Sequence, residues 1–493
     1  IVCLKNNLAG SRAPKSTTLV WLRRNLRVRD NLVLKTAADR GGPVVPVFIL
    51  EDVSTLGGVS RWWLAHSLRE LQRDLGARGG RLIFRKGNAS AVLMRLVKET
   101  KADAVLWDES FEPLQRESDA AIRERLSRVG VFCDALNDSL LFDPARILNK
   151  QGTPYKVFTP FFNYYLSLEE TVSFWKFPAK LSAPARWPRS EAIDAVGVKL
   201  YAAGTGKMRQ FWTPGARGAA TALREFLDKK IDDYPEERDH PASDGTSRLS
   251  PHLHFGEISV RRIWEETRKH MASDRRPGVV RAAEIFLRQI VWREFAHYLL
   301  YHFPATVSEP LRKEFSRFSW RKNARLFRAW QEGETGYPIV DAGMRQLRAT
   351  GWMHNRVRMI AASFLVKDLL QPWQDGAAWF MAALADADLA NNVFGWQWVA
   401  GCGADAAPYF RIFNPVLQGE RFDPRGDYVR RWVPELFKMP GQFIHSPWLA
   451  SPEVLAKAGV SLGKNYPVPL VDHGIARKRA LFAYDRLKGS LGK

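Results

Sequence analysis

Pro43-Val-Val-Pro-Val-Phe-Ile-Leu50 is eight residues long and has no polar side chain. A run this short and apolar reads as a strand buried on both faces, as in a parallel sheet. Similar short runs lie on either side, at Thr18–Arg23, Arg81–Arg85 and Ala104–Trp107. Helical stretches fall between them, at Asn31–Arg40, Ser60–Arg78 and Ala89–Thr100. Strands alternating with helices predict an α/β domain, a doubly wound parallel sheet, over residues 17–140. Residues 141–205 are rich in Pro, Phe and Tyr without periodicity and read as an interdomain connector. From 206 to 485 the pattern is helical, with expected helices at Ala219–Lys230, Val279–Tyr301, Ala324–Glu332, Asp341–Thr350 and Trp352–Leu370. The Gly-Thr-Gly-Lys at 204–207 follows no strand and carries no phosphate-binding argument.

A chain of 493 residues, 46% hydrophobic, can bury the cores of two domains. It carries 74 Lys and Arg against 52 Asp and Glu, a net charge of +22. Its pI near 10.0 exceeds the value of about 9 that suggests a polyanionic partner. Nucleic acid is the first candidate and an anionic membrane surface the second; a soluble enzyme with a basic surface is the plainer alternative. Cys3, Cys133 and Cys402 are far apart with no CxxC spacing. That argues against a disulfide framework or zinc site and for a reducing, intracellular compartment. The cytoplasm is expected in a prokaryote, and the nucleus or an organelle otherwise. No apolar run approaches the roughly 18 residues of a membrane span, so no membrane association is expected, and a monomer is. Residues 1–16 lack acidic side chains, in the manner of a transit remnant or a frayed terminus.

The chemistry concentrates between Gly351 and Trp398. This stretch opens Gly-Trp-Met-His-Asn-Arg-Val-Arg-Met and closes Asp386-Ala-Asp-Leu-Ala-Asn-Asn-Val-Phe-Gly-Trp-Gln-Trp398. Trp352, Asn355, Met359 and Phe364 recur at three to five residues, which puts a ring, an amide and a thioether along one helix side. Such a surface suits a large planar ligand with polar edges. Thr246, Ser247 and Ser250 supply hydroxyls and amides at a helix start, which suits an anion or serves as a plain N-cap. Asp386 and Asp388 also read as a DxD metal motif, but no His ligand pattern accompanies them and no metal is assigned.

Several ordered motifs resemble the photolyase/cryptochrome flavoproteins over nearly the whole chain. They are Trp21-Leu-Arg-Arg-Asn-Leu-Arg27 with Asp30-Asn31, Thr246-Ser-Arg-Leu-Ser-Pro251, Trp292-Arg-Glu-Phe295, Gly351–Met359, Gly395-Trp-Gln-Trp398 and Asp405–Pro415. The likeness is greatest to class I/III cyclobutane pyrimidine dimer photolyases. It departs at Asn25, where the family's signature usually has Asp. The resemblance implies an α/β antenna domain and an all-helical domain that holds a U-shaped FAD.

By that resemblance, Thr246, Ser247 and Ser250 take the FAD phosphates, with Tyr234, Arg248 and Leu249 nearby. Gln289, Arg293, Trp352 and Asn355 border the flavin. Asp386 pairs with Arg358, Asp388 meets the isoalloxazine edge, and Asn392, counted four back from Trp396, faces N5. A neutral amide there favours a reduced anionic flavin, whereas the Asp typical of plant cryptochromes can protonate the ring. Trp396, Trp373 and Trp320 match the electron-relay tryptophans; core packing is the alternative for any one of them.

Trp292 and Trp398 would wall the lesion pocket, Asn355 and Met359 would line its floor, and Arg356 would reach a phosphate. Arg238, Arg411 and Gln418 match further DNA contacts. His354 is followed by Asn355 and not by a second His, which favours cyclobutane dimers over (6-4) photoproducts. Gln289 stands where many dimer photolyases have Glu. In the helix Ser60–Arg78, Trp62 is expected to point away from the stripe of Leu64, Leu68, Leu71 and Leu75, free to stack on a ligand or standing as a surface or interdomain Trp. Arg61-Trp-Trp63, Glu51 and Glu112 resemble the methenyltetrahydrofolate surroundings of class III photolyases, so folate is expected as antenna, with a deazaflavin as the alternative. The implied function is light-driven repair of dimers in UV-damaged DNA. The competing reading is a blue-light signalling cryptochrome without repair. Asn392, the Trp292/Trp398 pair and the lack of a long C-terminal extension favour repair.

Overall fold

The computed structural model describes residues 16–51, 57–168, 175, 180–196, 205–406 and 410–489. The expectation for residues 1–16 falls almost wholly outside them, and so does Cys3. Five strands, β1 (Thr18–Leu22), β2 (Val44–Leu50), β3 (Ile83–Lys86), β4 (Ala104–Asp108) and β5 (Phe132–Leu136), form a parallel sheet ordered β3-β2-β1-β4-β5. β1, β2 and β4 are buried along their whole length, as sheets covered on both faces require. Pro46 is tolerated inside β2 because pairing with β3 begins only at Val47, so on that side its missing N–H leaves no partner unbonded. Helices α1 (Leu32–Asp39), α2 (Gly58–Gly76), α3 (Ala89–Thr100) and α4 (Pro113–Ser127) connect and cover the strands. The first four strands and three helices fall close to the expected spans. β5 and α4 escaped notice because the strand is a half-exposed edge and the helix is mostly polar.

Strand order reverses between β1 and β4, so the crevice beyond their carboxyl ends is the place where such sheets take ligands. Arg23, Arg24, Asp108 and Glu112 lie there. Asn25, just past this edge, is buried and donates to the Asp138 carboxylate at 3.5 Å. Asp108 and Asp138 are both buried; burial, then the Asp138 charge, pushes Asp108 up to about 7. An Asp at position 25 would crowd a third carboxylate beside them.

The second domain is helical. Residues 141–205 are not all connector. Helix Phe158–Ser167 lies within them, and its Phe158, Phe161 and Tyr165 join the core formed with Phe295, Tyr298 and Trp264. The expected helix Trp352–Leu370 is shorter. It runs from Asn355 to Ser363, continues as a π turn over Phe364–Asp368, and is capped by His354. Trp352 therefore precedes the helix, beyond a left-handed Gly351 (φ 67°).

The two domains meet at the short helix Ser250–His254 and the turn that follows. Gly256 has φ 64°, and a Cβ there would lie 1.8 Å from the Arg24 carbonyl oxygen, so only glycine allows this approach. Leu26 N donates to the Phe255 carbonyl at 3.1 Å, and Arg27 Nη1 donates to that of Gly256 at 3.1 Å. The buried Glu257 carboxylate accepts from Trp63 Nε1 at 2.9 Å and from Ser67 Oγ, both on α2, and pairs with His252. Among the described residues no helix is long and apolar enough to cross a membrane.

Candidate active site

The segment Thr246–Ser250 ends in a concavity of backbone amides. Arg248 is left-handed (φ 52°) and Leu249 right-handed (φ −81°, ψ −8°). That alternation turns successive N–H groups toward one point and makes an anion seat. The Arg248 guanidinium pairs with Asp244 at 3.0 Å and lies 5.6 Å from the Trp352 ring centroid. Tyr234 is buried, with its ring edge-on to Phe226 and Phe286.

Arg358 donates to both Asp386 oxygens, at 3.1 and 2.9 Å, and to the Met353 carbonyl at 2.7 Å. Asp388 caps the helix Leu389–Ala400. One of its oxygens accepts from the backbone N and the Nδ2 of Asn391, at 2.8 and 2.7 Å. The other lies 3.3 Å from His297 Nε2. Burial opposes this charge, but His297, Arg293 and Arg24 hold the carboxyl well below its ordinary range. Asn392 donates from Nδ2 to the Ala377 carbonyl at 2.9 Å. One turn on, Gly395 has nothing within 4 Å of where a Cβ would stand.

These features fit a flavin dinucleotide: amides for a pyrophosphate, a bare helix face beside Asn392, and a buried Nδ1 of His254 without a hydrogen-bond partner among the described residues. His254 carries no sequence signal of its own, and Arg24, although it stands in the Trp21–Arg27 motif, is not singled out there because that motif does not say which of its side chains turns toward the helical domain.

Gln289 accepts from Arg238 Nη2 at 3.1 Å and donates to the Ile285 carbonyl at 3.1 Å. Arg293, a turn later, reaches the Ser139 carbonyl at 3.2 Å. Trp292 is half-buried, and one face is stacked on Phe158 (centroids 3.4 Å, 7° between planes), so only the rest of the ring is open to a ligand. Trp398 is half-buried and held by a hydrogen bond from Nε1 to the Asp405 carbonyl at 3.1 Å. Asn355 is exposed, with Nδ2 3.8 Å from Met359 Sδ. Arg356 pairs with Asp239 at 2.9 Å and lies 4.2 Å from the Phe422 ring centroid. Arg411 is exposed and Gln418 half-buried; Pro408 and Tyr409 of the Asp405–Pro415 motif lie outside the described residues.

Trp396 is buried against Phe380 (5.0 Å) and Trp330 (6.1 Å). Its ring tip fills the space beside Gly376, one turn beyond the buried Trp373. Trp320 packs against the same core from a half-exposed position, 4.4 Å from Phe318.

The antenna expectation needs a correction. Trp62 is not free: it is 4% exposed, and its ring lies 4.7 Å from His66 and 6.3 Å from Trp63. It shares a core with Leu64, Leu68, Leu71 and Leu75. A helical wheel cannot foresee this, because the sheet and the helical domain cover α2 on more than one side. Glu51 is exposed and accepts from the backbone N of Ala89 at 2.9 Å. Glu112 pairs with Arg24.

Comparison with known proteins agrees with this architecture. The family model described as DNA photolyase matches residues 18–180, and that described as the FAD binding domain of DNA photolyase matches 286–486. A deoxyribodipyrimidine photo-lyase of Agrobacterium fabrum is 47% identical, over 95% of this chain and 98% of that one. Cryptochrome-2 of Arabidopsis thaliana is 37% identical, over 96% of this chain and 79% of its own length. The crystal structure of a bacterial class III photolyase from Agrobacterium tumefaciens superposes with a TM-score of 0.92 at 45% identity, over 98% of this chain and all of that one. A sheet domain joined to a helical flavin domain, with an amide seat and an Arg–Asp pair between, defines a flavoprotein of the photolyase type. The chain belongs to the DNA photolyase family.

Proposed function

We infer that this protein is a deoxyribodipyrimidine photolyase that repairs cyclobutane pyrimidine dimers in UV-damaged DNA under light. The observation that carries this reading is the 47% identity to a photo-lyase over nearly the full length of both chains, joined to the polar geometry at Asp386, Asp388 and Asn392. The bound cofactor, reduced FAD, supplies the photoexcited electron that the lesion borrows and returns.

The side chains do the rest. The amides from Thr246 to Ser250, with Tyr234, Arg248 and Leu249 around them, seat the phosphates. Arg358 neutralises Asp386 and fixes it. Asn391 is committed to the Asp388 cap, which leaves Asn392 as the amide free to meet the ring. Asn392 gives one of its two Nδ2 hydrogens to Ala377 and keeps its oxygen, and an acceptor suits the N5–H of a reduced flavin. Trp396, Trp373 and Trp320 relay electrons outward from a buried to a half-exposed site, since tunnelling falls steeply with distance.

Trp398 and the open part of Trp292 receive the flipped dinucleotide, over a floor of Asn355 and Met359. Gln289 offers an amide to the dimer, and its bond to Arg238 orients it. Arg238, Arg356, Arg411 and Gln418 contact the DNA backbone, where Arg356 exchanges Asp239 for a phosphate. Glu51 and Glu112 remain the antenna residues, for folate before a deazaflavin; the protein acts as a monomer.

The test is a thymine-dimer oligonucleotide mixed with reduced protein in light and in darkness. Restored thymines in light alone are expected. Binding without repair would instead point to a basic nucleic-acid-binding scaffold, and a long-lived flavin radical with neither binding nor repair to a signalling cryptochrome.

A further inference from the structure

At the strand-order reversal the sheet domain presents a cation toward the candidate cofactor site. Arg24 follows β1, pairs with Glu112 at the start of α4, and lies within electrostatic reach of Asp388 and Asp108. Its side chain keeps 42% exposure, although both of those carboxylates are buried. One side of the guanidinium therefore opens on space beside buried groups of both domains. That space lies beyond the carboxyl ends of β1 and β4, where open sheets take ligands. Gly256 locks the Arg24 backbone in place from the helical side.

His254 ends the helix that begins at the amide seat. It is 8% exposed, and its Nδ1 has no hydrogen-bond partner among the described residues. Burial and then the Arg24 charge push it down to about 3, so it is neutral at physiological pH; Asp388, Asp386 and Arg293 are the other charged groups around it. Neither residue has a role in the phosphate, relay or lesion contacts described above.

We propose that the sheet domain completes the cofactor cavity: Arg24 supplies the positive charge that keeps a reduced isoalloxazine anionic, and His254 walls the same space with a neutral imidazole that delivers no proton. This rests on the flavin reading above. A cation near a titrating ring favours its anionic form. Through an effective dielectric of about 20, and with partial cancellation by Glu112, that effect is on the order of one pH unit.

The experiment uses purified, flavin-loaded protein, reduced without oxygen and titrated with pH while the reduced flavin's absorption is followed. Arg24→Met should raise the apparent ring pKa by about one unit. Glu112→Gln, which strips Arg24 of its counter-charge, should lower it. Opposite signs are the mark of a charge effect; loosened packing would move both the same way. Unchanged titrations, or shifts of one sign, overturn the proposal. If Arg24→Met does not retain flavin, Glu112→Gln decides alone: a downward shift supports the role and an unchanged titration overturns it. A parent protein that binds no flavin overturns the cofactor reading itself.

Discussion

Asn391 and Asn392 are adjacent and chemically identical, yet the fold gives them different tasks. Asn391 reinforces the Asp388 helix cap, while Asn392 anchors to Ala377 and keeps an acceptor oxygen. Counting back from Trp396 selects Asn392, but only the hydrogen bonds give a physical reason. Trp398 illustrates the same dependence. Its Nε1 bond to Asp405 holds the ring at a half-buried position, and the repair reading has it stack on an extruded base. Trp398→Ala should weaken binding to dimer-containing DNA by about 1–3 kcal/mol and leave intact DNA nearly unaffected, as read by fluorescence anisotropy on matched oligonucleotides. Equal losses for both would remove Trp398 from the pocket.

At the scale of elements, the helix Asn355–Ser363 depends on its cap. His354 Nδ1 accepts from the backbone N of Arg356 at 3.2 Å, which only an unprotonated Nδ1 can do. Burial pushes His354 down to about 4. Its folded pKa lies below the unfolded value near 6.5, so its contribution to stability is complete above about 6.5 and is lost as pH falls toward 4. The loss is on the order of 3 kcal/mol. Asp108 and Asp423, raised to about 7 and about 6, act with the opposite sign over part of that window. The useful comparison is therefore with His354→Asn, which keeps a capping oxygen and shares both carboxyls. The melting temperature of the variant should gain on that of the parent as pH drops from about 6.5 to 4. A constant difference would show that the cap does not titrate. Element identity was legible in the sequence wherever periodicity was strong. The start of this helix was not, because Trp352 carries on the apolar spacing through a left-handed Gly351 that ends the preceding helix.

At the scale of the whole molecule, one short segment takes part both in the proposed cofactor seat and in domain docking, which also runs through Ser60 with Leu384 and Ser139 with Arg293. Ser250–His254 carries the amide seat at its start. The turn after it is pinned to the sheet domain through Gly256, Glu257 and Ser259, the last of which donates to Asp30. Glu257→Ala would strand His252, Trp63 and Ser67 without their shared acceptor. Leaving a buried donor unsatisfied costs about 1–3 kcal/mol, so the urea midpoint should fall and flavin should elute from the protein more readily on gel filtration. Unaltered stability together with full flavin retention would show that the two domains dock independently of this carboxylate.

Periodicity, composition and ordered motifs are local properties, and from them alone come the alternating sheet domain, the helical half, the net positive charge and the nomination of the polar and aromatic groups at the candidate site. Folding in three dimensions is what covers Trp62, places Phe158 on one face of Trp292, adds the aromatic-rich segment to the helical core and brings Arg24 within reach of Asp388. Most of these contacts join segments more than a hundred residues apart, some within the helical domain and some across to the sheet domain, and no local pattern encodes such pairings.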